Sequence, residues 1–178
     1  MQKLHWEKIS AKLKLIVMVG IFIVCAGIFF YVQYASAATR TWDGGGGDGL
    51  WSTCTNWSGD LCPGAGDIAT FDGSTTTDSF IDPSFAGSVA GIDINTGYIG
   101  TIYQQRNVTI GGSDYNQAAG TFVQGTTTFD VNNNFILSGG TFMTGVGTST
   151  IYRNFTVAGG SYVASSTSVI TFDSNNIS

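Results

Sequence analysis

Between Ala38 and Ser178 the side chains able to do acid–base or redox chemistry are eleven aspartates, three arginines (Arg40, Arg106, Arg153), five tyrosines and one cysteine pair. Lysine, glutamate and histidine do not occur in that stretch. Proton transfer near neutral pH needs a group poised to titrate there, or two carboxylates held in unlike environments. Here the work would fall to isolated aspartates or tyrosines. The aspartates do not recur at one position: Asp130 aligns with Thr150, and Asp114 with Asn134. The expectation is a chain with no catalytic residues and no cofactor. A β-helix enzyme degrading polysaccharide is the catalytic reading left over.

Three smaller constellations remain. Asp43 and Asp48 flank the glycine run Gly44–Gly47. An oxygen-rich loop of this kind can hold calcium, and the same residues also read as a turn with solvated carboxylates. Trp42, Trp51 and Trp57 lie close together in sequence. Their rings are candidates for stacking on sugar faces, in a carbohydrate-binding module, or for closing the end of a core. Cys54 and Cys62 form an isolated pair. In an exported chain such a pair defaults to a disulfide, with two free thiols as the other reading.

Export itself is legible at the start of the chain. Lys3, Lys8, Lys12 and Lys14 precede an unbroken apolar run from Leu15 to Val32, and Ala35-Ser36-Ala37 follows. A basic start, an apolar core and a small-x-small site describe a signal peptide, cut after Ala37. The run is also just long enough to stay in a membrane as an anchor. With the lysines all before the run, both readings leave the remainder outside the cytoplasm. The expected location is therefore secreted or cell-surface, with residues 15–32 as the membrane contact. Cys25 within the run is preceded by Val24 and reads as a buried apolar cysteine rather than a lipid attachment site.

The exported part carries eleven aspartates against three arginines, a formal excess of eight negative charges. That excludes the basic footprint of a nucleic-acid binder and the polybasic patch of a lipid-surface binder. Glycine, threonine, serine and asparagine take the places that charged residues usually hold. Aromatic and β-branched residues stay plentiful, so the composition is that of a β-rich protein rather than a disordered one.

The element that must position all these residues is a repeat. Gly100, Gly120, Gly140 and Gly160 each open a short phrase: Gly100-Thr101-Ile102, Gly120-Thr121-Phe122, Gly140-Thr141-Phe142 and Gly160-Ser161-Tyr162. A fixed period of this size is the mark of a stacked, quasi-one-dimensional fold. Laid out by copy, Ile102, Phe122, Phe142 and Tyr162 form one apolar column, and Tyr115, Phe135 and Phe155 a second. Leu137 and Val157 add a third. Asp114, Asn134, Asn154 and Ser174 form a polar column, and Thr101, Thr121, Thr141 and Ser161 a hydroxyl column. Apolar and polar residues alternate within each copy, which is strand periodicity. The expected fold is all-β: a parallel β-helix with rungs of about 20 residues, each of three short strands, after an N-terminal signal or anchor helix.

The expected organisation is 1–37 signal or anchor, 38–79 a tryptophan-rich cap, and 80–178 the rungs. A solenoid needs its end rung covered, because an open end presents unpaired backbone and apolar side chains. The fourth copy loses the aromatic column at Asn175, so the rungs look incomplete at the C-terminus. This predicts either a longer rod or an open solenoid edge that pairs with other copies of the chain.

Thr41-Trp42-Asp43-Gly44-Gly45, Leu50-Trp51-Ser52, Asn56-Trp57-Ser58-Gly59-Asp60, Pro63-Gly64-Ala65-Gly66-Asp67 and Phe71-Asp72-Gly73 resemble the opening module of large secreted β-solenoid surface proteins of bacteria. The Ser-Gly-Gly-Thr-Phe units that follow are similar to the parallel β-helices of autotransporter passengers and filamentous-haemagglutinin-type adhesins. The resemblance implies a structural or adhesive rod at the cell surface, implies nothing about a ligand and brings no catalytic residues; surface glycans are a separate expectation for its partners. Cys54 and Cys62 depart from the pattern.

Overall fold

The computed structural model describes residues 37–173. The expectations for the signal or anchor segment, with Cys25, and for Ser174 and Asn175 lie outside these described residues.

A short strand, β1 (Ala38–Thr41), precedes the cap. The coil then repeats three strands per turn. The first turn holds β2 (Asp67–Phe71), β3 (Ser79–Ile81) and β4 (Ser88–Val89). The second holds β5 (Gly91–Ile94), β6 (Thr101–Gln104) and β7 (Val108–Ile110). The third holds β8 (Tyr115–Gln117), β9 (Thr121–Val123) and β10 (Phe129–Val131). The fourth holds β11 (Phe135–Leu137), β12 (Thr141–Met143) and β13 (Thr148–Ile151). The fifth holds β14 (Phe155–Val157), β15 (Ser161–Val163) and β16 (Val169–Phe172). Each strand pairs in parallel with its counterpart in the next turn, giving three sheets in the orders β1-β2-β5-β8-β11-β14, β3-β6-β9-β12-β15 and β4-β7-β10-β13-β16. The described residues are an all-β parallel solenoid, as the repeat predicts.

The register shows where the 20-residue period holds and where it stretches. Phe135 pairs with Phe155 and Thr121 with Thr141, an offset of 20. Val108 pairs with Phe129, and Thr148 with Val169, an offset of 21. In the first turns Ile68 pairs with Gly91 and Ser79 with Ile102, an offset of 23. The extra residues go into corners, where chain length is not set by the ladder. Between β5 and β6 the longer corner carries Tyr98, which is buried and donates its hydroxyl hydrogen to the Thr77 carbonyl at 2.8 Å.

The interior is filled by the two predicted aromatic columns, whereas of the third column Leu137 is buried and Val157, on the fifth turn, is exposed. Tyr115, Phe135 and Phe155 stack with centroids 4.8 and 4.9 Å apart and planes within 13° and 19°. Phe122, Phe142 and Tyr162 stack at 5.1 and 5.5 Å, within 2° and 5°. Rows at the strand spacing hold rings face to face, while the two columns meet edge to face, as for Phe135 on Phe142 at 86°. The polar column is a ladder too: Asn134 donates its side-chain N–H to Asp114 at 2.9 Å, and Asn154 to Asn134 at 2.9 Å. At the turn before β12, Gly140 has φ +68, and a Cβ there would run into the carbonyl oxygens of Ala119 and Gly120. Only glycine fits that left-handed corner.

Three buried glutamines stand where strand alternation calls for an apolar residue. Gln104, Gln117 and Gln124 point inward at the ends of β6, β8 and β9. A carbonyl oxygen can accept twice, and the glutamines donate to carbonyls at the corners of the coil, including those of Gly120 and Thr128, which also accept an N–H from the neighbouring turn. Gln117 donates to the carbonyls of Ala119, Gly120 and Thr141, and accepts from the Tyr115 hydroxyl at 2.7 Å. Gln104 donates to Arg106 and Thr128 in the same way, and Gln124 to Thr127 and Thr148. Burial pushes the Tyr115 phenol well above its ordinary pKa, so it remains a donor.

Truncation should follow position in the column. Phe142 is buried between Phe122 and Tyr162, so Phe142→Ala should cost about 3–5 kcal/mol in denaturant unfolding. Tyr162 is half-buried, and Tyr162→Ala should cost distinctly less. Equal losses at the two positions would contradict a core that thins toward the fifth turn.

Candidate functional site

The cap is a knot of indoles set on the first turn. Trp42 and Trp57 face each other across an antiparallel bridge, with ring centroids 5.0 Å apart at 78°, and Trp51 meets Trp57 at 5.0 Å and 87°. All three rest on Phe71 of β2, at 5.8 Å. Each indole N–H has an acceptor: Trp42 to the Thr77 hydroxyl at 3.2 Å, Trp51 to the Ser79 hydroxyl at 3.1 Å, and Trp57 to the Trp51 carbonyl at 3.0 Å. Their exposures are 1%, 0% and 0%. Stacking on a sugar needs a ring face open to solvent, and none of the three presents one. They close the core instead, covering Phe71 where the coil begins.

Backbone pairing closes the same end. β1 lies on β2, tied also by Arg40 to Asp67 at 3.6 Å. Leu50 bridges Phe80 of β3, with Trp51 donating to the Phe80 carbonyl at 3.0 Å and Phe80 to the Gly49 carbonyl at 2.8 Å. Cys54 and Cys62 are joined by a disulfide across the loop that carries Trp57. Asp82, buried, accepts from the Ser52 N–H and hydroxyl, both at 2.9 Å, and fastens that loop to the first turn. Asp82 escaped the sequence reading. Its one signal, a carboxylate just after the apolar strand Phe80–Ile81, does not distinguish an anchor from a surface charge.

The two calcium candidates have separate jobs inside the cap loop. Asp43 accepts from the Gly45 N–H at 2.9 Å and so shapes the start of the glycine run. Asp48 accepts from the Leu50 N–H at 3.0 Å, the Thr53 hydroxyl at 2.6 Å and the Asn56 side-chain N–H at 2.7 Å. These bonds, the Thr53 hydroxyl first and the Leu50 N–H next, hold its carboxyl below the ordinary aspartate value. Among the described residues no three of His, Cys, Asp or Glu gather as a metal site would require. Asp48 does line a cleft of about 200 Å³ with Asp78, Thr77 and Phe80, floored by Gly44, Gly47 and Gly49.

Compared with protein families, curated proteins and solved structures, the chain matches none.

The other surfaces are the three outer faces of the coil. On the first, Asp93 accepts from Asn116 at 2.8 Å, and Ile136 and Thr156 continue the row. On the third, Ser88, Thr109, Asp130, Thr150 and Thr171 align strand by strand. On the second, Thr101, Thr121, Thr141 and Ser161 run beside Tyr103, Val123, Met143 and Val163. Asp93 and Asp130 therefore sit singly among hydroxyls and amides, as the sequence alignment of Asp130 with Thr150 predicts. At the fifth turn no described strand covers β14, β15 or β16. A cleft of about 580 Å³ there is lined by Arg153, Phe155, Thr156 and Phe172, with Asn134, Ile136 and Asn154. Among the described residues no helix is long and apolar enough to cross a membrane.

Two outcomes follow for the cap. Replacing Cys54 and Cys62 with serine should cost about 2.5 kcal/mol, the loop-closure entropy restored to the unfolded chain. Acid should loosen the cap through Asp48. A carboxyl whose folded pKa lies below its unfolded value stabilises fully above the unfolded value, and that contribution is lost as pH falls through the folded one. Tryptophan fluorescence should therefore report a cap transition below about pH 4, flattened in Asp48→Asn. Superimposable curves for the two proteins would remove Asp48 from this role.

Proposed function

We propose that the chain is an exported structural or adhesive β-solenoid that works at the cell surface through its repeating outer faces, without catalysis. One observation carries the reading: side chains align rung by rung in register on every face, and those facing out are mostly hydroxyl, amide and apolar groups. Such a surface offers many weak contacts at a regular spacing along its length, which suits multivalent attachment. Acid–base work needs convergent titratable groups; Asp93 and Asp130 stand on different sheets, and of the outward aspartates Asp78 alone shares a cleft with another carboxylate, Asp48, which is already bound by three donors. Export is supported by the basic start, the apolar run and Ala35-Ser36-Ala37. The disulfide agrees with it, since such bonds persist in oxidising compartments. Partners of this surface are glycans of the cell envelope, or other copies of the chain meeting at the open edge of the fifth turn.

The test is protease treatment of intact expressing cells, alongside a polysaccharide turnover screen of the recovered protein. The expected result is loss of the chain from intact cells and no turnover. A chain protected until the cells are lysed would remove the surface assignment. Turnover abolished by a single Asp→Asn substitution would replace the structural reading with an enzymatic one.

A further inference from the structure

The outer face of the sheet β3-β6-β9-β12-β15 differs from the other two. Its outward residues form two straight rows parallel to the coil axis. One row is Phe80, Tyr103, Val123, Met143 and Val163. The other is Asp78, then Thr101, Thr121, Thr141 and Ser161. From β6 onward this face carries no charge, whereas the other faces carry Asp93 and Asp130. In the first row Phe80 and Tyr103 stack at 5.2 Å, and Met143 and Val163 are 39% and 41% exposed. The row spans about 19 Å at the strand spacing.

We propose that this face pairs with the same face of a second copy, the two coils lying side by side with their axes reversed. Three features select that occupant. First, rows at a strand spacing of about 4.8 Å find a commensurate partner in another cross-β face, whose side chains then interlock turn by turn. Second, the row is graded, with aromatic rings at the cap end and aliphatic side chains at the other. A two-fold axis along β9 sets Phe80 against the second copy's Val163 and Tyr103 against its Met143, while Val123 meets its own counterpart. Each aromatic ring then meets an aliphatic side chain rather than another ring, with valine on valine at the axis. Third, the same axis sets the Asp78 carboxylate against the Ser161 hydroxyl and keeps the two carboxylates at opposite ends. Parallel axes would bring both Asp78 side chains to one level, where like charges repel. A chain with a net negative excess is thereby brought together on the face that holds least of it. The pairing rests on this face alone and does not depend on where the chain works or what else it binds.

The full chain recovered from expressing cells should sediment as a dimer. Val123→Asp and Thr121→Asp each place two carboxylates face to face on the axis. Each should raise the dissociation constant on the order of a hundredfold or more, with the β-sheet circular dichroism unchanged. In a Cys25→Ser background, Val123→Cys should cross-link spontaneously between copies and Val163→Cys should not. That second measurement decides the matter if the aspartate variants fail to fold. A chain that stays monomeric, a dimer indifferent to both aspartates, or cross-linking at position 163 rather than 123 would overturn the proposal. So would a dimer lost in Phe172→Asp but kept in Val123→Asp, since that would mean association at the open edge. Glycan binding by a monomeric chain that is lost in Tyr103→Ala would also overturn it.

Discussion

Every feature of this protein answers to one constraint: a short parallel strand cannot satisfy its own backbone, so each turn must lie in register on the turn before. Three- and four-residue strands have almost no independent stability. Their N–H and C=O groups find partners only in the neighbouring turns, and that fixes a strand spacing of about 4.8 Å. Once the spacing is fixed, any residue type repeated at the right offset becomes a row. Aromatic rings then stack face to face, and asparagine side chains donate to the next asparagine along. Glycine is required at corners such as Gly140, where carbonyls of the previous turn pass too close for a Cβ.

The constraint is costly at its ends and at its corners, and the sequence invests there in residues that look out of place. At the start, three tryptophans, a disulfide and the buried Asp82 are spent on covering one turn. A regular turn could not cover it without exposing the same problem one step further on. At the corners, Gln104, Gln117 and Gln124 enter a mostly apolar interior to donate to carbonyls there. An unsatisfied buried carbonyl costs more than the apolar contact it displaces. Asp48 does the same for the cap loop, gathering three donors around one carboxylate.

The repeat was legible because its period is strict where the turns are most alike. Gly120-Thr121-Phe122 and Gly140-Thr141-Phe142 announced both a corner and an inward aromatic, and the columns read from them are the rows the fold contains. The 23-residue offset of the first turns was not legible, because corners absorb insertions without disturbing the ladder, as Tyr98 shows. Nor were the glutamines, since a polar residue at an inward position is read as breaking a strand rather than serving it. For the tryptophans the sequence left open a sugar platform and a core closure. That choice depends on what covers the rings, and Phe71, Thr77 and Ser79 are distant in sequence from Trp51. The outward rows are written in the same repeat as the inward ones, yet what they bind follows from their chemistry and not from the repeat.

The direction of the ladders has a mechanical consequence. All the hydrogen bonds between turns run along the axis of the coil, so tension along that axis reaches them one turn at a time. Rungs would peel from an end, each freeing about 60 Å of slack for its 20 residues. Force across the axis, along the strands, would instead load a whole ladder in shear. At the capped end the residues between Cys54 and Cys62 are withheld from any such extension by their cross-link. A fibre of this construction yields in equal small steps under pull and resists bruising from the side, a behaviour closer to a shock absorber than to a rigid strut.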